Sequence, residues 1–267
     1  MRTKRSWPIR VIMVLGYSFL YLPIISLVIF SFNDSKQVTV WTSFSLKWYE
    51  SLLQNQILLD AAGLSLKVAF LSAFFAVVLG TLSAVGLVRW ERFRGRGLFS
   101  ILTAAPLVMP EVITGLALLL LFVTLDQTFG WPSRGITTIT IAHTTLCLAY
   151  VAIIVRTRLS EMDPTLEEAA LDLGAKPLKV FFAITLPIIS PALISGWLLA
   201  FVLSLDDLVI ASFVAGPGSS TLPMVIFSSV RYGMSPEINA LATIIITFVA
   251  IGVMIAGYIL QRHSQPR

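Results

Sequence analysis

Three carboxylates stand where an apolar chain accommodates them least. Glu111 follows Pro106 and Pro110 inside a long hydrophobic stretch, and Asp206 and Asp207 lie side by side in another. Ionisable side chains inside a bilayer are costly, so each is a functional candidate by default. Prolines loosen backbone hydrogen bonding, and a carboxylate beside loosened carbonyls makes a cation site. Counted along a continuous helix, Glu111 lies about thirteen residues in, roughly 20 Å deep at 1.5 Å per residue. The plainer alternative is a carboxyl paired with a base or kept protonated by burial. Adjacent helical residues point about 100° apart, so Asp206 and Asp207 are not expected to face one pore together. Either one lines a cavity while the other pairs with, for example, Arg231, or both are interfacial carboxylates marking a helix end. The three suggest a negative path through an apolar bundle, which suits a cationic substrate.

A second group of polar residues lies outside the apolar stretches. The stretch Asp163–Pro187 is polar and lies between two apolar segments. Asp163 is an N-cap type, Pro164 suits a first helical turn, and Glu167 and Glu168 sit near the positive end of the helix dipole. Gly174 falls where a left-handed residue closes a helix, and Pro177 opens a second short element. The pattern predicts a compact helix, a tight turn and a second short helix at the membrane surface. Ala169 and Ala170 allow another surface to approach closely, and the glutamates offer it charge. An ordinary amphipathic interfacial helix is the competing reading.

The elements that position these residues are membrane spans. Apolar residues make up 57% of the 267, charged residues only 12%, and mean hydropathy is +0.88, where a soluble domain carries about a quarter charged residues. Six segments reach the roughly 20 apolar residues a spanning helix needs: Val11–Phe32, Ala62–Val88, Leu98–Leu125, Ile136–Val155, Ile188–Ser212 and Ile238–Leu260. Backbone groups must satisfy themselves in lipid, so the expected fold is all-α, one polytopic transmembrane domain over 1–267 with a loop at 156–187. The first span follows a basic start but is too long for a signal-peptide core, and it reads as uncleaved.

Loop charge orients the bundle. Arg2, Lys4, Arg5 and Arg10 precede the first span; Arg89, Arg92, Arg94 and Arg96 fill the second loop; Arg156, Arg158, Lys176 and Lys179 the fourth; Arg262 and Arg267 the tail. Only Lys36, Lys47, Arg134 and Arg231 face the other way, and Lys67 can snorkel outward. The positive-inside rule puts both termini and the Glu168 loop in the cytoplasm. The net charge of +5 is therefore no nucleic-acid signal.

Other residues read as structural. Trp41, Trp48 and Tyr49 are expected to anchor an outer loop at the membrane interface; Gly80 and Gly86 permit close helix packing; Gly216-Pro217-Gly218 is a turn; and Leu222–Val230 is too short to span. His143 has no second ligand at helical spacing, which favours packing or a helix–helix hydrogen bond over metal. Tyr150 and Trp197 read as core, and Trp131-Pro132 as an interface anchor. Cys147 is the one cysteine, so no intrachain disulfide is possible. No P-loop, catalytic triad or zinc spacing is present.

Glu168-Ala169-Ala170, then Gly174, then Ile184-Thr185-Leu186-Pro187 resembles the EAA loop of ABC-importer permeases. In that family the loop is the cytoplasmic coupling helix that docks on the ATPase subunit. The likeness extends to the polyamine, putrescine-type branch through Phe30-Ser31-Phe32-Asn33, Pro106 to Gly115, Leu203 to Ile210 and Ser235 to Ala240. Glu111 departs from it, since an aspartate is the more usual residue there. The resemblance implies a heterodimer with a second homologous permease, two ATP-binding-cassette subunits that bind the ATP, a periplasmic polyamine-binding protein, and a bacterial inner-membrane location. It implies no cofactor, metal or catalytic residue in this chain. An ion-gradient-driven secondary transporter of a small cation, or a non-transporting scaffold or sensor that recruits an ATPase, are the alternatives.

Overall fold

The computed structural model describes residues 7–37, 40–90, 92–232 and 235–263; Arg2, Lys4, Arg5 and Arg267 lie outside these, as do the side chains of Arg231 and Arg262. In order the helices are α1 Trp7–Phe30, α2 Lys47–Gln54, α3 Gln56–Arg89, α4 Arg96–Val108, α5 Glu111–Phe129, α6 Ile136–Glu161, α7 Thr165–Asp172, α8 Pro177–Val180, α9 Leu186–Asp206, α10 Val209–Val214, α11 Leu222–Tyr232 and α12 Glu237–His263. Among the described residues, six helical runs are long and apolar enough to cross a membrane: 9–30, 56–89, 111–129, 136–161, 177–206 and 237–255. The expected number of spans stands, but two of them are built differently.

The segment read as one span over Leu98–Leu125 is two helices. Chain α4 stops at Val108, Met109 turns extended at ψ 134°, and Pro110 precedes the first residue of α5. Pro110 has no N–H to continue the ladder and biases Met109 away from helix. The segment read as Ile188–Ser212 also differs. It begins earlier, through α8 and a π-helical turn at Phe181–Thr185, and breaks at Asp207 before α10. The π turn follows from Pro187, whose ring would crowd the carbonyl four residues back. Widening the turn lets the Leu186 N–H reach the Phe181 carbonyl instead.

The chain forms two compact units. One comprises residues 1–59 and 226–258. Within it, Asn33 organises the outer loop: its side-chain amide donates to the Val40 carbonyl at 2.6 Å, its Oδ1 accepts from Thr42 N–H at 2.9 Å, and its carbonyl accepts from the Trp48 indole at 2.7 Å. Trp48 is buried and the Tyr49 hydroxyl bonds Ser31 Oγ at 2.8 Å. Both rings were expected as interface anchors; they instead hold the loop's own interior, because a polar handle on each finds a partner there. Trp41 stays exposed, edge-on to Phe30. Glu237, in the first turn of α12, accepts from Ser51 Oγ and from Asn55 Nδ2 at 2.6 Å, tying α12 to α2.

The other unit comprises residues 60–225 and 259–267. Its centre is α6, two-thirds buried along its most apolar stretch, against none for α1. One cluster joins Ala73, Ala76 and Ala84 of α3 to Cys147, Val151 and Val155 of α6 and Ile189 and Ala200 of α9. A second joins Val68, Phe122, Ile139 and Ala142 to Ile210, Ala211 and Val214. Small residues dominate because lipid supplies no hydrophobic drive between helices, so contact must come from close approach. Gly80 meets this description: an added Cβ would lie 2.9 Å from Val151 Cγ1. Gly86 does not, since only Trp90 comes near, at 3.9 Å. Trp197 stacks on Phe201 and Tyr150 packs on the second cluster, as expected of core residues.

At Gly216 a Cβ would fall 2.1 Å from the Arg134 carbonyl oxygen. A backbone carbonyl cannot rotate away as a side chain would. Gly216→Ala is therefore expected to cost about 1–3 kcal/mol, read as a fall of several degrees in the melting temperature of the purified protein.

Candidate functional site

The surface stretch folds as the capping residues dictate. Asp163 Oδ1 accepts the Thr165 N–H at 3.0 Å, and Pro164 leads into α7. The Thr165 backbone N–H, and then its hydroxyl, hold the Asp163 carboxyl below the usual carboxylate range. A carboxylate with a lowered folded pKa stabilises above its unfolded pKa and loses that only as pH falls through the lowered value. This cap is therefore fully present at neutral pH. At the other end Gly174 has φ +84°, and the N–H groups of Gly174 and Ala175 bond the Leu171 and Ala170 carbonyls at 2.8 and 3.0 Å. That is the left-handed closure expected of it. Chain α8 then starts with Pro177.

The two glutamates divide their work. Glu168 and Ala169 are exposed and Ala170 is half-buried. Glu167 turns inward: Oε1 accepts from Arg89 Nη2 of α3 at 2.9 Å and from Thr185 Oγ1 of the π turn at 2.5 Å. Its carboxylate and Arg89 line a cavity of about 200 Å³ under α7, walled by Val85, Leu171 and Val180. Around α7 the apolar side chains of Leu166, Leu173 and Leu178 stand exposed, Leu173 at 89%. Charge and apolar surface thus face outward together while one carboxylate anchors the loop to two spans. Glu167→Ala is expected to leave Arg89 half-buried and unpaired, costing about 1–3 kcal/mol, and to loosen α7. Faster amide exchange over 165–180, with α6 unchanged, is the measurement that checks it.

The carboxylates among the spans also separate. Glu111 is exposed and is the first residue of α5, not a mid-helix residue. The straight-helix depth of roughly 20 Å does not survive the break. Chain α5 alone, of 19 residues, is about 28 Å long, close to the hydrocarbon thickness. Beside Glu111 are the free N–H groups of a helix start as well as the free carbonyls that end α4.

Asp207 pairs with His143; the side chain of Arg231, the partner considered for one of the two aspartates, lies outside the described residues. His143 Nε2 lies 3.1 Å from Asp207 Oδ2 and Nδ1 lies 2.7 Å from Ser204 Oγ, all buried between α6 and α9. Asp207 also accepts the Ala211 N–H at 2.8 Å, capping α10. The expected helix–helix hydrogen bond of His143 is there, and it holds the break in place. Asp206 is left exposed at the end of α9. The two breaks are neighbours. Gly115, one turn after Glu111, lets α5 press on α10, where an added Cβ would lie 2.7 Å from Phe213 Cδ2 and 3.4 Å from Ile210 Cα. Interrupted helices meeting in this way recur at transporter binding sites, because irregular backbone is tolerated only in protein or beside water.

Residues 76–267 match the family of binding-protein-dependent transport system inner membrane components. The chain belongs to that family. It is a polytopic inner-membrane permease subunit of such a transport system. It is 59% identical over 265 residues, 99% of this chain and 94% of the relative, to the putrescine transport system permease protein PotI of Escherichia coli strain K12. It is 41% identical over 248 residues, 93% and 91% of the two chains, to the spermidine/putrescine transport system permease protein PotC of the same organism. Among solved structures, a chain of a bacterial ABC transporter involved in the import of the acidic polysaccharide alginate superposes with a TM-score of 0.72 at 17% identity, covering 99% of each chain. A chain of the inward-facing methionine ABC transporter MetNI gives 0.62 at 16% identity over 78% of this permease and 96% of that chain. These likenesses place the permease in the ABC-importer permease fold.

Proposed function

We propose that this permease forms half of the translocation path of an ATP-driven importer of a small linear polyamine, putrescine first. The observation that carries the substrate is the 59% identity, over nearly the whole chain, to a permease named for putrescine transport. The partners are a second homologous permease, two ATP-binding-cassette subunits and a periplasmic polyamine-binding protein, with both termini and α7 on the cytoplasmic side. Glu168, Ala169, Ala170 and Gly174 form the surface that docks on the ATPase, and Glu167 anchors it. ATP-driven closure of the ATPase pair moves α7, and the two permeases rock between outward and inward states, each ligand shifting populations by its differential affinity. Along the path Glu111 and Asp206 offer spaced negative charge to a diamine, while Asp207 holds the helix break between them and α10. Spacing matters, because a single tight site would retain the cation.

The test is reconstitution in vesicles with labelled putrescine. Uptake is expected only when the partner permease, the ATPase, the binding protein and ATP are all present. Uptake by this chain under an ion gradient without ATPase would replace the proposal with a secondary transporter. ATPase recruitment with no substrate-dependent uptake would replace it with a scaffold.

A further inference from the structure

A second polar feature lies apart from the path and from the docking surface. Leu87 and Val88 at the end of α3, Arg92, Arg96 at the start of α4, and Arg156 and Ser160 near the end of α6 enclose an open cavity of about 410 Å³. That lies within the roughly 300–1,000 Å³ of small-ligand sites. Three guanidinium groups converge there. Arg96 donates through Nη2 to the Leu87 carbonyl at 3.0 Å, and its buried Nε has no hydrogen-bond partner. Neither Arg92 nor Arg156 forms an ion pair among the described residues, whereas neighbouring Arg89 and Arg158 are paired with Glu167 and Glu161. Like charges gathered with no acid paired to them among the described residues repel one another unless an anion joins them. The planar guanidinium fork matches phosphate oxygens.

The surroundings say where the anion comes from. Trp90, Phe93, Leu98 and Phe99 stand exposed on the segment that carries Arg92 and Arg96, with Phe93 and Phe99 edge to face. Exposed aromatics at a helix end mark the membrane–water boundary. Basic pockets between transmembrane helices at that level take phosphate headgroups.

We propose that Arg92, Arg96 and Arg156 form a binding site for the phosphate of an anionic phospholipid in the cytoplasmic leaflet. The site is independent of the transported substrate and of the ATPase contact. The headgroup phosphate bridges α3, α4 and α6, and its acyl chains lie along the exposed apolar face beside Trp90. Binding weakens with salt, since the arginines reach water.

The full-length chain is purified, equilibrated with mixed micelles of phosphatidylcholine and phosphatidylglycerol, and the retained lipid is quantified by mass spectrometry. Enrichment of phosphatidylglycerol over the micelle ratio is expected. Arg156→Gln is expected to lower that enrichment roughly fivefold, and Arg92→Gln with Arg96→Gln to abolish it, while Arg94→Gln leaves it unchanged. Arg156 is exposed, so its variant still folds if the double variant does not. Displacement of phosphatidylglycerol by millimolar inorganic phosphate assigns the same arginines to free phosphate and overturns the lipid as source. Equal enrichment in wild type and Arg156→Gln, or its loss in Arg94→Gln as well, overturns the site. So does unchanged enrichment accompanied by lost co-purification of the ATPase, which makes the patch a protein contact.

Discussion

Replacing Gly174 with valine is expected to separate ATP hydrolysis from putrescine uptake in the assembled importer. Uptake falls by at least about tenfold while hydrolysis continues. The reason is conformational rather than steric. Nothing lies within 4 Å of an added Cβ, but φ is +84°. A left-handed conformation costs an ordinary L-residue roughly 1–2 kcal/mol, and a β-branched one more. That strain is relieved by undoing the two hydrogen bonds that close α7, from Gly174 and Ala175 back to Leu171 and Ala170. Helix α7 then no longer ends where α8 begins, and movement passed to it is expected to be absorbed by the turn. A substitution series separates this from general damage: Gly174→Asn should be mild, because asparagine visits this region, Gly174→Ala intermediate and Gly174→Val severe. Co-purification of the ATPase reports assembly in each. Normal coupled uptake in the valine variant would remove α7 from the coupling role.

Glu111→Gln is expected to lower diamine uptake about tenfold with subunit assembly intact. The change keeps shape and one acceptor oxygen, while it removes the charge and turns the other acceptor into a donor. Loss of one charge-assisted contact to an ammonium group is worth roughly 1.5–3 kcal/mol. Glu111→Asp restores the charge on a shorter arm and should recover part of the rate. A shift confined to the Michaelis constant would mark Glu111 as a loading site, and a fall in maximal rate would mark it as part of the barrier. Unchanged kinetics in the glutamine variant would take Glu111 off the path.

Hydrophobic length was enough to read the six spans, because a bilayer demands it of any crossing helix. The same demand hid the breaks. Leu98–Leu125 stays apolar across Met109-Pro110, and hydropathy does not register a missing N–H; Pro106 and Pro110 alone do not say whether a helix bends or breaks. At the surface loop, capping chemistry is local, so Asp163, Pro164 and Gly174 could be placed from their types alone. Which glutamate turns inward could not, because the answer depends on Arg89 and Thr185, both distant in sequence. Asp207 is similar: its partner His143 comes from another helix, sixty-four residues away in sequence. An aromatic ring beside a span points to the interface, and the Asn33 carbonyl that receives the buried Trp48 indole N–H lies fifteen residues away in sequence. Glu237 lies in the stretch Ser235–Ala240, where residue types alone assign it no partner. Ser51 and Asn55 lie one helical turn apart, and that paired polar face was the signal available.

Glu167 grips the end of α3 and the π turn leading into α9 with a single oxygen. In the proposed coupling, a load applied to α7 is expected to reach both helices rather than one. Gly80 of α3 and Gly196 of α9 both close on Val151 of α6, so that one side chain is the expected pivot for a torque the two helices share.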